Sequence, residues 1–142
     1  MEIVKNATLA LSVAAFHELN NGPMGAIPDC VDAVVRLCSW DDAEVQAQAA
    51  AALANLGYGQ QRNQELIGEL GGLENLLELC GSSDVDVIES STAALANIVC
   101  LHKANAVRVA ESSGIEILLR LVNGSAAANL LDADQISEIQ AN

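Results

Sequence analysis

Proton transfer, metal binding and covalent catalysis need His, Cys, Asp or Glu in company, and this sequence keeps them apart. His17 and His102 are the only histidines, and neither has a nucleophile or a metal ligand at motif spacing. Cys30, Cys38, Cys80 and Cys100 form no C-x-x-C pair, and no histidine stands at zinc-ligand spacing from them. Asp132 and Asp134 lack the remaining ligands and the turn glycine of an EF-hand loop. Gly71-Gly72 has no Lys-Ser or Lys-Thr after it, so it is not a phosphate loop. The expectation is therefore a protein that is not an enzyme, with no cofactor and no bound metal.

The elements behind these residues are helical. About half of the 142 residues are apolar, yet Trp, Tyr and Phe occur once each, so Ala, Leu, Val and Ile must fill the core. That mixture suits close helix-on-helix packing, and no segment shows the alternation of a strand. The formal net charge of −13 sets up a field that repels phosphate backbones and anionic lipid. Nucleic acid and membranes are not expected partners, whereas a basic polypeptide would be steered in. The same acidity also keeps an apolar-rich chain in solution.

Internal repetition is the dominant signal. Residues 45–81 lie over 87–123 at a shift of 42 without a gap, and thirteen of 37 positions are identical. Ala51-Ala52-Leu53-Ala54-Asn55 falls on Ala93-Ala94-Leu95-Ala96-Asn97, Asn63 on Asn105, and Gly72 on Gly114. The same shift run backward finds a diverged copy, in which Val45 meets Ile3, Leu53 meets Leu11 and Asn63 meets Asn21. The whole of 1–142 reads as one domain with repeats at about 1–40, 41–82 and 83–124. Residues 125–142 read as a C-terminal cap or the start of a further repeat. A period near 42 belongs to helical solenoids.

Each repeat holds one long helix and two short ones. Val45, Ala49, Ala52, Leu53 and Leu56 recur at helical spacing and define a buried stripe. Asp41 or Asp42 stands where an N-cap is wanted, and Asp84 with Asp86 repeats the arrangement. Gly57 and Gly59 end the long helix; short helices follow over about Asn63–Glu69 and Leu73–Cys80. Cys38, Cys80 and Val122 share one repeat position, which marks the two cysteines as small buried apolar residues, reduced in a cytosolic-type compartment. A nucleus or a cilium is compatible with that reading. The apolar run from Ala7 to Phe16 lacks a cleavage site and falls in register with the repeats, so it is not a signal peptide.

Val45-Gln46, Ala-Leu-Ala-Asn-Leu at 52–56, Asn63, Gly71-Gly72-Leu73 and Leu76-Leu77-Glu78-Leu79 together resemble the armadillo repeat of importin-alpha and beta-catenin. The resemblance implies an all-α fold, a right-handed α-solenoid of three armadillo-type repeats. It also implies a concave groove lined by the long helices, with an Asn on each turned toward an extended peptide. A carboxamide both donates and accepts, so it can satisfy a peptide group without reading its side chain. Helices about 8–10 Å apart would meet a strand advancing about 3.3 Å per residue at roughly every second or third unit.

Asn55 and Asn97 occupy that position, with Gln48 and Ser90 on the same face and Glu44 and Asp86 one turn earlier as an acidic rim. The competing reading is that each Asn bridges neighbouring helices. Importin-alpha-like repeats also place Trp four residues before the Asn; here Ala51 and Ala93 stand there, and the first repeat has Leu9 and Val13. Without rings to stack on lysines, nuclear-import cargo is not expected. Trp40 is expected to plug the gap between repeats, and His102 to meet the C-terminal dipole of the third long helix.

The expected function is that of an adaptor or scaffold, binding another protein chain, basic or extended, through the groove or the solenoid ends. The alternative is an architectural subunit of a large cytoskeletal or ciliary assembly with an empty groove. Weakly capped ends suit part of a larger complex or a fragment of a longer array.

Overall fold

The computed structural model describes residues 1–124. Among them the regular elements are all helices: α1 (Glu2–Phe16), α2 (Glu18–Ala26), α3 (Cys30–Leu37), α4 (Ala43–Gly57), α5 (Gln61–Glu69), α6 (Gly72–Leu79), α7 (Val85–Val99) and α8 (Lys103–Glu111). Residues 114–124 form a further helix, α9. Lengths of 15, 9 and 8 residues recur in that order. The result is an all-α solenoid in which α1, α4 and α7 lie side by side.

Local chemistry explains the boundaries. Asp42 Oδ1 accepts from the Val45 amide at 3.1 Å, and Asp84 Oδ1 accepts from Asp86 and Val87 at 3.0 and 3.2 Å. Each cap stabilises its helix by about 1 kcal/mol. The turn before the second short helix needs a left-handed residue in every repeat: Asp29, Gly71 and Ser113, 42 apart, have φ of 62°, 81° and 60°. A second such position follows the long helix, where Gly59 (φ 65°) is matched by Leu101 (φ 56°). Only glycine takes this conformation without steric cost.

The stripe expected on α4 is the centre of the core. Val45, Ala49, Ala52, Leu53 and Leu56 are fully buried, and Ile67, Leu73, Leu76 and Ile98 pack into the same cluster. Burying each Leu or Ile stabilises by about 1.5–3 kcal/mol. Small residues let the long helices approach: a Cβ on Gly57 would stand 2.9 Å from Ile98 Cγ1. α3 packs on α4 and α6 on α7, but nothing among the described residues packs on α1 in that way. Ile3, the counterpart of buried Val45, is accordingly 83% exposed. At the other side Ile115 and Leu119 are exposed where Leu73 and Leu77 are buried.

Two expectations are corrected. Trp40 is not a plug: the residue is 40% exposed, and it is held through its backbone, the carbonyl accepting from Gln46 Nε2 at 2.8 Å and the amide donating to Leu37 O at 3.1 Å. His102 does not serve the end of α7 with its ring. Its Nδ1 accepts from the Asn105 amide at 3.3 Å and caps the N-terminus of α8, because a left-handed Leu101 has already turned the chain. The expected terminal element at 125–142, including Asp132 and Asp134, lies outside the described residues.

Candidate functional site

The flank of α1, α4 and α7 carries two adjoining depressions. One, of about 310 Å³, lies between α4 and α7 and is lined by Glu44, Ala47, Gln48, Ala51, Asp84, Asp86, Glu89 and Ser90. The other, of about 470 Å³, crosses all three long helices and is lined by Ser12, Val13, Phe16, Ala51, Ala54, Asn55, Glu89, Ser90 and Ala93. They share Ala51, Glu89 and Ser90, so they form one furrow. Of the residues singled out in the sequence, Glu44, Gln48, Asp86 and Ser90 meet in the first depression, and Asn55 lies in the second. Asn97 lines neither.

The difference between the two asparagines has a local cause. Asn97 Nδ2 donates to the Ala54 carbonyl at 2.9 Å, one of the last four carbonyls of α4, which have no partner within the helix. Asn97 thus bridges α7 to α4, and its donor is engaged. The Asn55 carboxamide, half-buried, has no hydrogen-bond partner among the described residues. It keeps both donor and acceptor for an outside group.

Other carboxamides do related work that their repeat spacing alone did not disclose. Asn63 Nδ2 donates to Leu56 O and to Asn21 O, each at 2.8 Å. Gln64 Nε2 reaches Gly57 O, Asn97 O and Cys100 O at 3.0, 2.9 and 3.2 Å. Asn105 Nδ2 donates to Gln64 O at 2.8 Å and Ile98 O at 3.3 Å. The carbonyls that end α4 and α7 are therefore met largely by amide side chains, several from a neighbouring repeat. The recurrence of Asn at 21, 63 and 105 was the available signal.

The rim is acidic, and one cation lies along it. Lys5 Nζ sits 2.9 Å from Glu44 Oε2 and 3.2 Å from Asp42 Oδ2. These carboxylates hold the Lys5 ammonium above its ordinary pKa, with the Glu44 hydrogen bond the main cause. Asp42 is held below the usual carboxylate range, first by the Val45 amide and then by Lys5. Burial pushes the Cys38 thiol up to about 12, and the Cys30 and Cys80 thiols also upward, away from reactivity. Among the described residues no group of three or more His, Cys, Asp or Glu side chains is arranged to hold a metal ion. No described helix is long and apolar enough to cross a membrane.

Three layers of stacked helices with side-chain bridges at a fixed period define an α-solenoid of repeats. Residues 60–100, from the residue before α5 to the residue after α7, match the armadillo/beta-catenin-like repeat. Among solved structures the chain is similar to three engineered proteins of the Northeast Structural Genomics Consortium. The first is 32% identical with a TM-score of 0.75, covering 82% of this chain and 47% of that one. The second is 34% identical, TM-score 0.75, covering 82% and 28%. The third is 29% identical, TM-score 0.73, covering 82% and 48%. The chain thus spans less than half the length of each. None of the curated proteins matches it. The chain is an armadillo-like repeat protein.

Proposed function

We propose that the chain is a protein-interaction module whose furrow across α1, α4 and α7 takes an extended segment of a partner polypeptide. Armadillo repeats generally serve protein interaction and are typically non-enzymatic. The observation that carries the reading is Asn55: a carboxamide without a partner among the described residues, in a depression walled by Ala51, Ala54 and Ala93. Small walls admit a backbone, and a free amide can satisfy one of its peptide groups. The net charge of −13 favours a basic segment. Four free cysteines, two of them buried, suit a reducing, cytosolic-type compartment.

The test is Asn55→Ala. Peptides selected on the wild-type chain from a random library are titrated against both proteins. Binding about tenfold weaker with an unchanged melting curve supports the groove; equal affinity overturns it. A second reading, an architectural subunit held by its flanking faces, is favoured by Ile3, Ile115 and Leu119, exposed where their repeat counterparts are buried. On that reading Asn55→Ala changes nothing, and Ile3→Glu releases the chain from its assembly.

A further inference from the structure

The joint between successive repeats is closed twice inside the chain. Each time the last short helix of one repeat packs on the long helix of the next, α3 on α4 and α6 on α7. One contact fixes the register: Cys80 Sγ lies 3.5 Å from Ser91 Oγ, and both residues are buried. The same positions one repeat earlier are Cys38 and Ala49, again buried. At the two flanks the corresponding positions are Val122 of α9 and Ala7 of α1, and both are exposed.

The two open halves match. α9 exposes Ile115, Leu119 and Val122, whose counterparts Leu73, Leu77 and Cys80 are buried. α1 exposes Ile3, Ala7 and Ala10, whose counterparts Val45, Ala49 and Ala52 are buried. The sequence after α9 does not repeat this stripe. At the constant shift of 42, Val87, Ser91, Ala94, Leu95 and Ile98 fall on Asn129, Ala133, Ile136, Ser137 and Gln140, so the three largest become polar. The long helix that suits α9 is α1.

A polar group at the entry flank points the same way. Asn63 and Asn105 each donate to a main-chain oxygen of the preceding repeat, Asn21 O and Gln64 O, both at 2.8 Å. Asn21 holds their position in the first repeat. It is 2% exposed, its Oδ1 is buried without a partner, and its carboxamide makes no hydrogen bond among the described residues. The carbonyl of Ala14, counterpart of Leu56, is taken by Asn20 instead. A carbonyl from a preceding α8 would give the Asn21 amide the partner that its counterparts have.

We infer that α9 of one copy of this chain docks on α1 of a second copy, head to tail, in the register of the internal joints. Val122 of the first copy then meets Ala7 of the second, as Cys80 meets Ser91. Likewise α8 lies against α2 of the second copy, as α2 lies against α5. The contact is heterologous, so every copy keeps one face of each kind and the solenoid can propagate. The inference is separate from the groove; it rests on the second reading above and names what covers the flanking faces.

The full chain is sedimented alone and as variants with one flank charged. Wild type should form a concentration-dependent series of oligomers. Ile3→Glu and Leu119→Glu should each be monomeric, and an equimolar mixture should recover a pair and nothing longer. That recovery also shows that both variants fold. In a Cys100→Ser background, Ala7→Cys chains mixed with Val122→Cys chains should form a disulfide-linked pair on mild oxidation. Linking should be about tenfold faster than with Glu116→Cys, elsewhere on the same helix. Variants that stay apart on mixing, or equal linking rates, overturn the inference. Dimers that survive Leu119→Glu but not Ile3→Glu mean that α1 pairs with α1, and also overturn it. A wild type monomeric at every concentration does so too, and the release of Ile3→Glu from its assembly then judges the second reading alone.

Discussion

Asn63 donates its side-chain amide to the backbone carbonyl of Asn21, the residue at its own position one repeat earlier, at 2.8 Å. The same nitrogen meets Leu56 O, near the end of α4, at 2.8 Å. One buried group therefore closes a helix and ties two repeats together. Asn63→Ala leaves both carbonyls without this donor in a dry environment and should cost about 2–3 kcal/mol. Urea denaturation of the two proteins measures it; a loss below about 0.5 kcal/mol would refute the role.

Gly25 makes room for that side chain, since a Cβ there would collide with the Asn63 carboxamide oxygen. Gly25→Ala should destabilise by about 1–3 kcal/mol in the wild-type background. In the Asn63→Ala background the collision partner is gone, so most of that cost should vanish. A double-mutant cycle reads the coupling. Strictly additive changes would show that the glycine is there for another reason.

Leu101 has φ of 56° with its side chain 98% exposed, where the preceding repeat has Gly59. Leu101→Gly removes a steric cost and no packing, against a smaller loss of unfolded-state restriction. A gain of about 0.5–1 kcal/mol is expected from thermal or chemical melts. A loss of stability would contradict the backbone argument.

Lys5 and its carboxylates define a pH window. Asp42 is depressed below its ordinary value of 3.8, so its contribution is present above that value and fades as pH falls through the lower folded value. Lys5 is raised above 10.5, so its contribution is present below 10.5 and fades as pH rises through the higher folded value. Lys5→Met should therefore lower the melting temperature at pH 7, and the difference should shrink toward zero at pH 2. A difference independent of pH would mean that the lysine stem, not its charge, matters.

Much of the fold was legible because solenoid packing repeats its demands at a constant interval. Val45, Ala49, Ala52, Leu53 and Leu56 announce a buried face by spacing alone, and Asp42 and Asp84 announce helix starts. The polar residues were harder to read. Asn97 and Asn55 are identical in repeat position, yet one reaches a neighbour's carbonyl and the other reaches nothing among the described residues. That distinction depends on angstrom-scale placement of α7 on α4, which periodicity does not encode. His102 misled for a similar reason: the turn at Leu101 decides which helix end the ring faces. Lys5 passed unnoticed because its partners lie 37 and 39 residues away.

The amides of Asn63, Gln64, Asn97 and Asn105 all grip main-chain oxygen and ask nothing of the neighbour's side chains. Such fasteners are indifferent to sequence on the receiving side. A unit can drift in composition, as residues 1–40 have, and still be held in place by the one that follows. The units are thus interchangeable parts, and exchanging one with another of matching pitch should preserve the joints while rewriting the surface between them.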